Sequence, residues 1–167
     1  GLRMQGEAPK TIKKRVAEAL EVVGLLGYEQ KVPFALTKGD RQRVAVASAL
    51  AVQPQVLILD EPTTGLDYRH QRNTMEMLRR LNRDGHTIIV ITHSMWVATE
   101  YASRTILVKD GRILADGPTR VIFSDEHRLA EASLSPPSLV RLSNWLGTRA
   151  LTIQQLVQEL KTRVGDS

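Results

Sequence analysis

The chain contains no cysteine and few aromatic residues. Without cysteine it can form neither a disulfide nor a thiolate metal site, and it has no thiol nucleophile. Aromatic residues make up only 4% of the chain, which disfavours a surface that stacks nucleic-acid bases. No apolar run approaches the roughly 20 residues that a membrane-spanning helix needs. We therefore expect any work at a membrane to be that of a peripheral subunit.

The composition is otherwise that of a folded globular chain. Its 167 residues are 42% hydrophobic, which is enough for a packed core. The 23 basic residues exceed the 18 acidic ones and give a formal charge of +5. These charges are scattered rather than gathered in one block, so no nucleic-acid partner is expected.

Two adjacent acidic residues follow a short apolar run in the stretch VLILDEPTTGLD. The run, Val56–Leu59, predicts a strand buried on both faces. Asp60 and Glu61 then leave its carboxyl end, where α/β sheets bind their ligands. Paired carboxylates at such an edge can hold a metal ion and activate a water molecule. They can equally be solvated acids that end a strand.

A second stretch, LTKGDRQRVAVASALA, has the form of a helix start. Thr37 followed by Asp40 has the spacing of a capping box. The unpaired amides of Thr37, Lys38 and Gly39 could meet an anion such as phosphate. An ordinary capped helix is the alternative. The helix is predicted to have a face of small side chains, formed by Val44, Ala47, Ser48 and Ala51.

A helix and a second strand follow the two acids. Tyr68–Arg83 is predicted to be an amphipathic helix, and Thr87–Thr92 a β-branched strand that ends at His93. This order is typical of a parallel βαβ unit, which would place His93 on the same sheet edge as Asp60 and Glu61. A histidine after a strand can also be a cap or a satisfied polar group.

The flanking segments are predicted to be helices and one hairpin. Thr11 is a candidate N-cap for a helix that ends at Gly24, and Met95–Ser103 is a further helix. Thr105–Lys109 and Arg112–Ala115 flank an Asp-Gly dipeptide, which favours a tight hairpin. The Gly-Pro-Thr sequence after the hairpin is predicted to be a break. Helices are predicted to follow it, one with Thr119 as its N-cap and one with a capping box formed by Thr152 and Gln155. The final helix should carry an apolar face of Ile153, Leu156, Val157, Leu160 and Val164.

Taken together, LTKGDRQRVAVASALA, VLILDEPTTGLD and TIIVITH resemble, in order and spacing, the carboxyl half of an ABC-transporter ATPase domain. In that family they are the signature motif, the Walker B strand with its D-loop, and the switch histidine. TILVKDGRILADG, the following Gly-Pro-Thr and the Pro-Pro-Ser-Leu segment look more narrowly like the ATPase subunits of energy-coupling-factor or cobalt-type importers.

The resemblance implies a fold and a division of the chain. The fold is α/β, a partial P-loop NTPase (RecA-like) parallel sheet with flanking helices, without its phosphate-loop strand and with a helical C-terminal appendage. Residues 1–52 would be a helical subdomain remnant with the signature motif. Residues 53–117 would be the α/β core, and residues 118–167 the helical extension.

The resemblance also implies roles for single residues. Asp60 would hold Mg²⁺, Glu61 would polarise the attacking water, and His93 would contact the γ-phosphate of ATP. Asp67 would face a partner subunit across a dimer interface. The implied positions that meet ATP are Thr37, Lys38, Gly39, Asp40 and Asp67.

The chain departs from the family pattern in two ways. Lys38 stands where the signature usually has glycine, and Asp40 where it has glutamine. Lys38 could contact phosphate or obstruct it, and Asp40 adds a negative charge beside it. The phosphate loop Gly-x-x-x-x-Gly-Lys-Ser/Thr is absent from these residues, so we expect this stretch to be a piece of a longer ATPase that does not hold ATP·Mg²⁺ in cis. In this family the strand that leads into the phosphate loop lies inside the sheet. We expect the gap that its absence leaves to be filled by dimerisation, by exchange of an element or by distortion of the sheet.

The predicted function is that of the ATP-binding and ATP-hydrolysing subunit of a membrane importer. Its cofactors would be ATP and Mg²⁺. Its partners would be a second ABC ATPase subunit and integral-membrane transporter subunits, on the cytoplasmic face of the cell membrane. One alternative is a non-catalytic partner that contributes only its signature face in trans. A soluble ABC-type ATPase acting on nucleic acid or ribosomes is disfavoured by the low aromatic content.

Overall fold

The computed structural model describes residues 1–165, without the side chains of residues 33 and 164. Its contacts group into two compact units, residues 1–91 and the residues from 92 onward. The boundary falls inside the predicted core region 53–117, and the predicted three-part division stays a prediction.

The first unit contains three α-helices, a short 3-10 helix and a pair of strands. In chain order they are α1 (Pro9–Val22), a short 3-10 helix (Pro33–Ala35), α2 (Lys38–Leu50), β1 (Val56–Asp60), α3 (Tyr68–Arg83) and β2 (Thr87–Ile91). Strands β1 and β2 pair in parallel, with Val56 opposite Thr87 and Asp60 opposite Ile91. The predicted βαβ order is therefore present, and α3 has the predicted bounds.

Only one face of the strand pair is covered. Leu57 is buried, and α3 buries Met75 and Leu78 along its length. Val56 and Ile58, whose side chains point to the opposite face, are 48% and 65% exposed. The prediction that this strand is buried on both faces is therefore wrong, because within the described part of the chain the second face has no covering layer.

Two predictions about the first helices are also wrong in detail. Helix α1 begins at Pro9 rather than after a Thr11 cap, since proline with its fixed φ suits the first helical position. The buried residues of α2 are Val46, Ala47 and Leu50, and Ala51 after it is buried too. Ser48 is exposed and its hydroxyl donates to the Ala45 carbonyl at 2.7 Å. The helix therefore packs through a face of larger aliphatic residues than predicted.

The second unit is a hairpin with helices. Its elements are α4 (Met95–Tyr101), β3 (Arg104–Lys109), β4 (Arg112–Pro118), α5 (Thr119–Ser124), α6 (Glu126–Glu131), α7 (Ser138–Trp145) and α8 (Ile153–Gly165). The predicted Asp-Gly turn joins β3 to β4, with φ of 50° at Asp110 and 72° at Gly111. Two successive positive φ angles are those of a type I′ turn, which matches the twist of the strands.

Thr119 does not cap a helix, contrary to prediction. Strand β4 continues to Pro118, and Thr119 is the buried first residue of α5. Its hydroxyl donates to the Ala102 carbonyl at 2.7 Å and lies 2.9 Å from the Thr105 hydroxyl. Thr119 thus ties the end of the hairpin to the segment after α4.

The C-terminal helices pack onto the hairpin through one apolar core. Its buried members are Leu107, Ala115, Ile122, Phe123, Leu129, Val140 and Leu151. At the start of α8 the Gln155 amide donates to the Thr152 hydroxyl as predicted, but the Gln155 side chain accepts from the Leu151 amide and not from that of Thr152. Of the predicted apolar face Leu156 is buried, whereas Ile153 and Val157 are 65% and 45% exposed. The Val164 side chain lies outside the described residues.

No helix in the described part of the chain is long and apolar enough to cross a membrane.

A buried hydroxyl pair in the second unit provides a test of this packing. Ser143 Oγ lies 2.6 Å from Thr148 Oγ1 and accepts from the Ala150 amide at 2.7 Å. Replacing Ser143 with alanine would leave that buried amide without its acceptor, so we expect Ser143→Ala to lower the free energy of unfolding by about 1–3 kcal/mol. Urea unfolding measures this. The exposed helical control Ser48→Ala should change it by less than about 0.5 kcal/mol; equal effects would contradict the assignment.

Candidate functional site

The two acids leave the sheet at the carboxyl end of β1. Asp60 is the last residue of the strand and is exposed, and Glu61 is half-buried. The Glu61 amide donates to the Ile91 carbonyl at 2.9 Å, so the parallel ladder continues one residue beyond β1. Glu61 has a φ of 47°, in the left-handed region that non-glycine residues seldom adopt. Such backbone persists where the surroundings hold it, and it is common at functional sites.

The loop after Glu61 folds back on that residue. Thr64 donates to Glu61 twice, from its hydroxyl to Oε2 at 2.8 Å and from its amide to the carbonyl at 3.2 Å. Pro62 and Thr63 are buried between them. We call residues 60–67 the acidic loop. Its first turn fixes one carboxylate oxygen of Glu61.

His93 follows β2 by two residues and belongs to the second unit. Its side chain is exposed. The Ser94 amide donates to the Thr92 hydroxyl at 3.0 Å, which orders the backbone on either side of His93. The predicted position of His93 beside Asp60 and Glu61 stays a prediction.

Helix α2 starts as the sequence predicts. Thr37 is its N-cap, and the Thr37 hydroxyl accepts from the Asp40 amide at 3.1 Å. Lys38 and Gly39 are its first two residues. Arg41 donates to the Leu36 carbonyl at 2.7 Å and holds the chain that enters the helix. The positive end of the helix dipole therefore lies at Lys38 and Gly39.

The charge of Asp40 is compensated within the helix. Arg43 Nη2 donates to Asp40 Oδ1 at 2.5 Å, and Arg43 Nη1 donates to the Val23 carbonyl at 3.4 Å. Partial burial acts to raise the pKa of Asp40, but hydrogen bonds from Thr37 and Arg43 and the charges of Arg43 and His70 outweigh it. The pKa of Asp40 is therefore below its usual value, and its negative charge is balanced by Arg43.

Asp67, at the end of the acidic loop, is the N-cap of α3. Its Oδ1 accepts from the His70 amide at 2.9 Å, and its Oδ2 lies 2.7 Å from His70 Nδ1. The hydrogen bonds from the His70 amide and ring hold the pKa of Asp67 below its usual value. Gln71 donates to the Leu66 carbonyl at 3.0 Å and supports the same loop.

The acidic loop and the start of α2 touch. A Cβ added at Gly39 would lie 3.1 Å from His70 Cδ2, and one added at Gly65 would overlap Lys38 Nζ. Gly65 has a φ of 71°, so it needs to be glycine for its conformation as well. Lys38 is thus placed against the acidic loop, a location the sequence left open. The sequence motifs do not identify His70. The one available signal is its position three residues after Asp67, the N-cap of α3.

The donor set fits one part of a magnesium site. Carboxylate oxygens suit Mg²⁺, and Asp60 presents an exposed carboxylate at the carboxyl end of a strand. No group of three or more histidine, aspartate or glutamate side chains in the described part of the chain is arranged to hold an ion. Asp60 is the carboxylate at this edge of the sheet that would hold such an ion.

The site thus combines a strand that ends in two acids, a loop that caps the next helix, and a capped helix start that lies against that loop. Residues 2–64 match the family model described as ABC transporter. The chain belongs to the ABC-transporter ATP-binding family.

The similar proteins are longer than this chain. A Caldanaerobacter subterraneus protein provisionally named an ABC transporter ATP-binding protein is 54% identical over 94% of this chain and 28% of its own length. A Methanosarcina acetivorans protein of the same provisional name is 46% identical over 98% of this chain and 28% of its own. The chain thus spans about 28% of the length of these curated relatives.

Solved structures confirm the predicted α/β fold class. The structure of cbiO1 from Clostridium perfringens, described as part of the ABC transporter complex cbiONQ, is 33% identical with a TM-score of 0.66. That match covers 81% of this chain and 55% of that one. The ATP-binding cassette MJ1267 is 20% identical with a TM-score of 0.65, over 74% of this chain and 50% of that one, and shares the fold.

The Asp40–Arg43 pair predicts a pH-dependent contribution to stability. Because the pKa of Asp40 is lowered in the folded chain, its stabilisation is present above the unfolded pKa of about 4 and is lost as the pH falls through the lower folded value. Asp40→Asn should therefore lower the free energy of unfolding at pH 7. The difference in this free energy between variant and wild type should shrink below about pH 4. Urea unfolding between pH 2.5 and 7 measures this. Arg43→Gln should reduce the same pH dependence of the free energy of unfolding. If the free energies of wild type and Asp40→Asn differ by the same amount at every pH, the pairing of Asp40 with Arg43 is contradicted.

The contact between Gly39 and His70 predicts non-additive substitutions. Alanine suits a helix better than glycine by roughly 0.5–1 kcal/mol, but a Cβ at Gly39 would press on the His70 ring. Gly39→Ala should therefore stabilise the His70→Ala variant by about 0.5–1 kcal/mol and wild type by less, or not at all. A double-mutant cycle by urea unfolding measures the difference. Equal effects in both backgrounds would show that the two residues are not in contact.

Proposed function

We propose that this chain forms part of the ATP-hydrolysing subunit of an ABC-type importer, of the energy-coupling-factor or cobalt-like kind. The observation that carries the proposal is the contact between the start of α2 and the acidic loop within one unit. The subclass is supported by the structural similarity to cbiO1, which is described as part of the complex cbiONQ.

The acidic loop would supply the hydrolytic residues. Asp60 would hold Mg²⁺, which would neutralise charge on the phosphates of bound ATP. Glu61 would orient a water molecule through its carboxylate, and the hydrogen bond from Thr64 to Oε2 limits the positions that this carboxylate can take. His93 would donate a hydrogen bond to the γ-phosphate as negative charge develops there.

The start of α2 would act on ATP held by a second subunit. Its first amides and the positive end of its dipole suit the oxygens of a phosphate. Lys38 adds a positive charge at this point, beside Gly65. Asp40 does not oppose the anion strongly, because Arg43 compensates its charge. Asp67 would lie at the same dimer interface.

The partners follow from these roles. A second ABC ATPase subunit would contribute the complementary site, and integral-membrane subunits would form the transport path. The protein would then work as a peripheral subunit on the cytoplasmic face of the membrane. The uncovered apolar face of β1 and β2, with Val56, Ile58, Ile89 and Ile91 between 44% and 65% exposed, supports burial against a further polypeptide segment.

Substitution of Glu61 tests the hydrolytic role. In the full-length protein, Glu61→Gln should lower ATP turnover by about 10²–10⁴-fold, because the amide cannot polarise water as the carboxylate does. ATP binding, measured by calorimetry, should be retained. Glu76→Gln is the matched control, since Glu76 is on the surface of α3 and pairs with Arg79 at 3.4 Å.

Three outcomes of this experiment are informative. Loss of turnover in the Glu61 variant alone supports the role. Unchanged turnover removes Glu61 from it. A wild-type protein that stimulates a second ATPase while having no turnover of its own would favour the non-catalytic partner instead.

A further inference from the structure

We propose that His70 is a positioning residue that joins the start of α2 to the acidic loop, so that both are presented to a partner subunit as one surface. The inference rests on the proposed function, since it concerns the two elements expected to meet the partner. His70 itself would touch neither ATP nor Mg²⁺.

The first observation is that His70 holds Asp67 at both carboxylate oxygens. The backbone amide of His70 donates to Oδ1 at 2.9 Å, and Nδ1 of the ring lies 2.7 Å from Oδ2. N-capping of α3 requires only the first of these bonds. The ring contact is therefore additional to the cap, and it fixes the orientation of the Asp67 carboxylate.

The second observation is that the same ring lies against Gly39. A Cβ at Gly39 would be 3.1 Å from Cδ2 of His70, which is closer than side chains ordinarily pack, and 3.8 Å from Nε2, an ordinary contact distance. The charge of His70 also helps to lower the pKa of Asp40 in the same helical turn. The Cδ2 side of the ring thus meets α2, while its Nδ1 meets the acidic loop.

Stability alone gives a weak reason for this arrangement. The side chains of His70 and Asp67 are 47% and 66% exposed, and exposed ion pairs stabilise proteins little. What the ring does fix is the distance between Gly39 and Asp67. These residues belong to the two elements that the proposed function places against the nucleotide of a second subunit, so their relative position would decide whether both can engage together.

Three substitutions separate the two contacts of the ring. His70→Phe keeps a ring against Gly39 and removes the nitrogen that meets Asp67. His70→Asn keeps a hydrogen-bond donor for Asp67 and removes the ring. His70→Ala removes both contacts. His86→Ala is the matched control, because His86 also makes one hydrogen bond, from Nδ1 to the Pro54 carbonyl at 2.8 Å, at the start of β2 and away from the acidic loop.

The measurement is MgATP-driven dimerisation of the full-length protein in a Glu61→Gln background, which blocks hydrolysis. By sedimentation, His70→Ala should raise the Kd of the dimer about tenfold, and the Phe and Asn variants should raise it less. The affinity of the monomer for MgATP should change by less than about twofold, because the positioning role does not involve the nucleotide held in cis. A residue with only a structural role would lower thermal stability without this selective effect on dimerisation.

Several results would overturn the inference. Dimerisation unchanged in His70→Ala would do so, as would an equal loss in His86→Ala. A parallel loss of ATP affinity in the monomer would show general damage to the fold. If the Glu61→Gln reference itself fails to dimerise with MgATP, both the proposed function and the positioning role are contradicted. If the reference dimerises and His70→Ala has no effect, only the positioning role is contradicted.

Discussion

The parallel pairing of β1 with β2 is the constraint on which the rest of the site depends. The register puts Asp60 opposite Ile91, and the bond from the Glu61 amide to the Ile91 carbonyl extends the ladder by one residue. That bond fixes the point at which the chain leaves the sheet and the left-handed φ with which it turns. A shift of one residue would move every strand side chain to the opposite face of the sheet and change the point at which the acids leave it. The chemistry assigned to the two acids is therefore a property of the strand pairing.

Two glycines allow the acidic loop and the start of α3 to approach α2, and each is required for a different reason. Gly65 has a positive φ that other residues adopt only with strain, and its missing side chain leaves room for Lys38. Gly39 has ordinary helical geometry, and its role is to let the His70 ring approach the backbone. The sequence alone shows both glycines beside chemically informative neighbours. Only the structure shows that Gly65 meets α2 at Lys38 and that Gly39 meets the start of α3 at His70.

The parts of the fold that follow from local chemistry were predictable from the sequence. The bounds of α3, the Thr37 cap and the Asp-Gly turn each depend on residues within a few positions of one another. The errors concern burial, distant contacts and, in α1, the choice between Pro9 and Thr11 as the start of the helix. The local signal at Thr119 predicts an N-cap, yet its hydroxyl bonds to the Ala102 carbonyl on a preceding segment. The contact of His70 with α2 spans about 30 positions in the chain, which no pattern of neighbouring residues can reveal.

The departures of the signature stretch from its family pattern become physically consistent once the neighbours are known. A carboxylate at Asp40 would repel phosphate if it stood alone, but Arg43 donates to it at 2.5 Å and Thr37 bonds to it as well. A lysine at position 38 would obstruct close approach of a ligand to the helix start if it lay across the first amides. Instead its Nζ lies at Gly65, on the acidic loop. The charge of Asp40 is thus balanced by Arg43, and the Lys38 side chain lies on the neighbouring acidic loop. The positive end of α2 therefore keeps its electrostatic preference for an anion, because neither departure adds an uncompensated negative charge there.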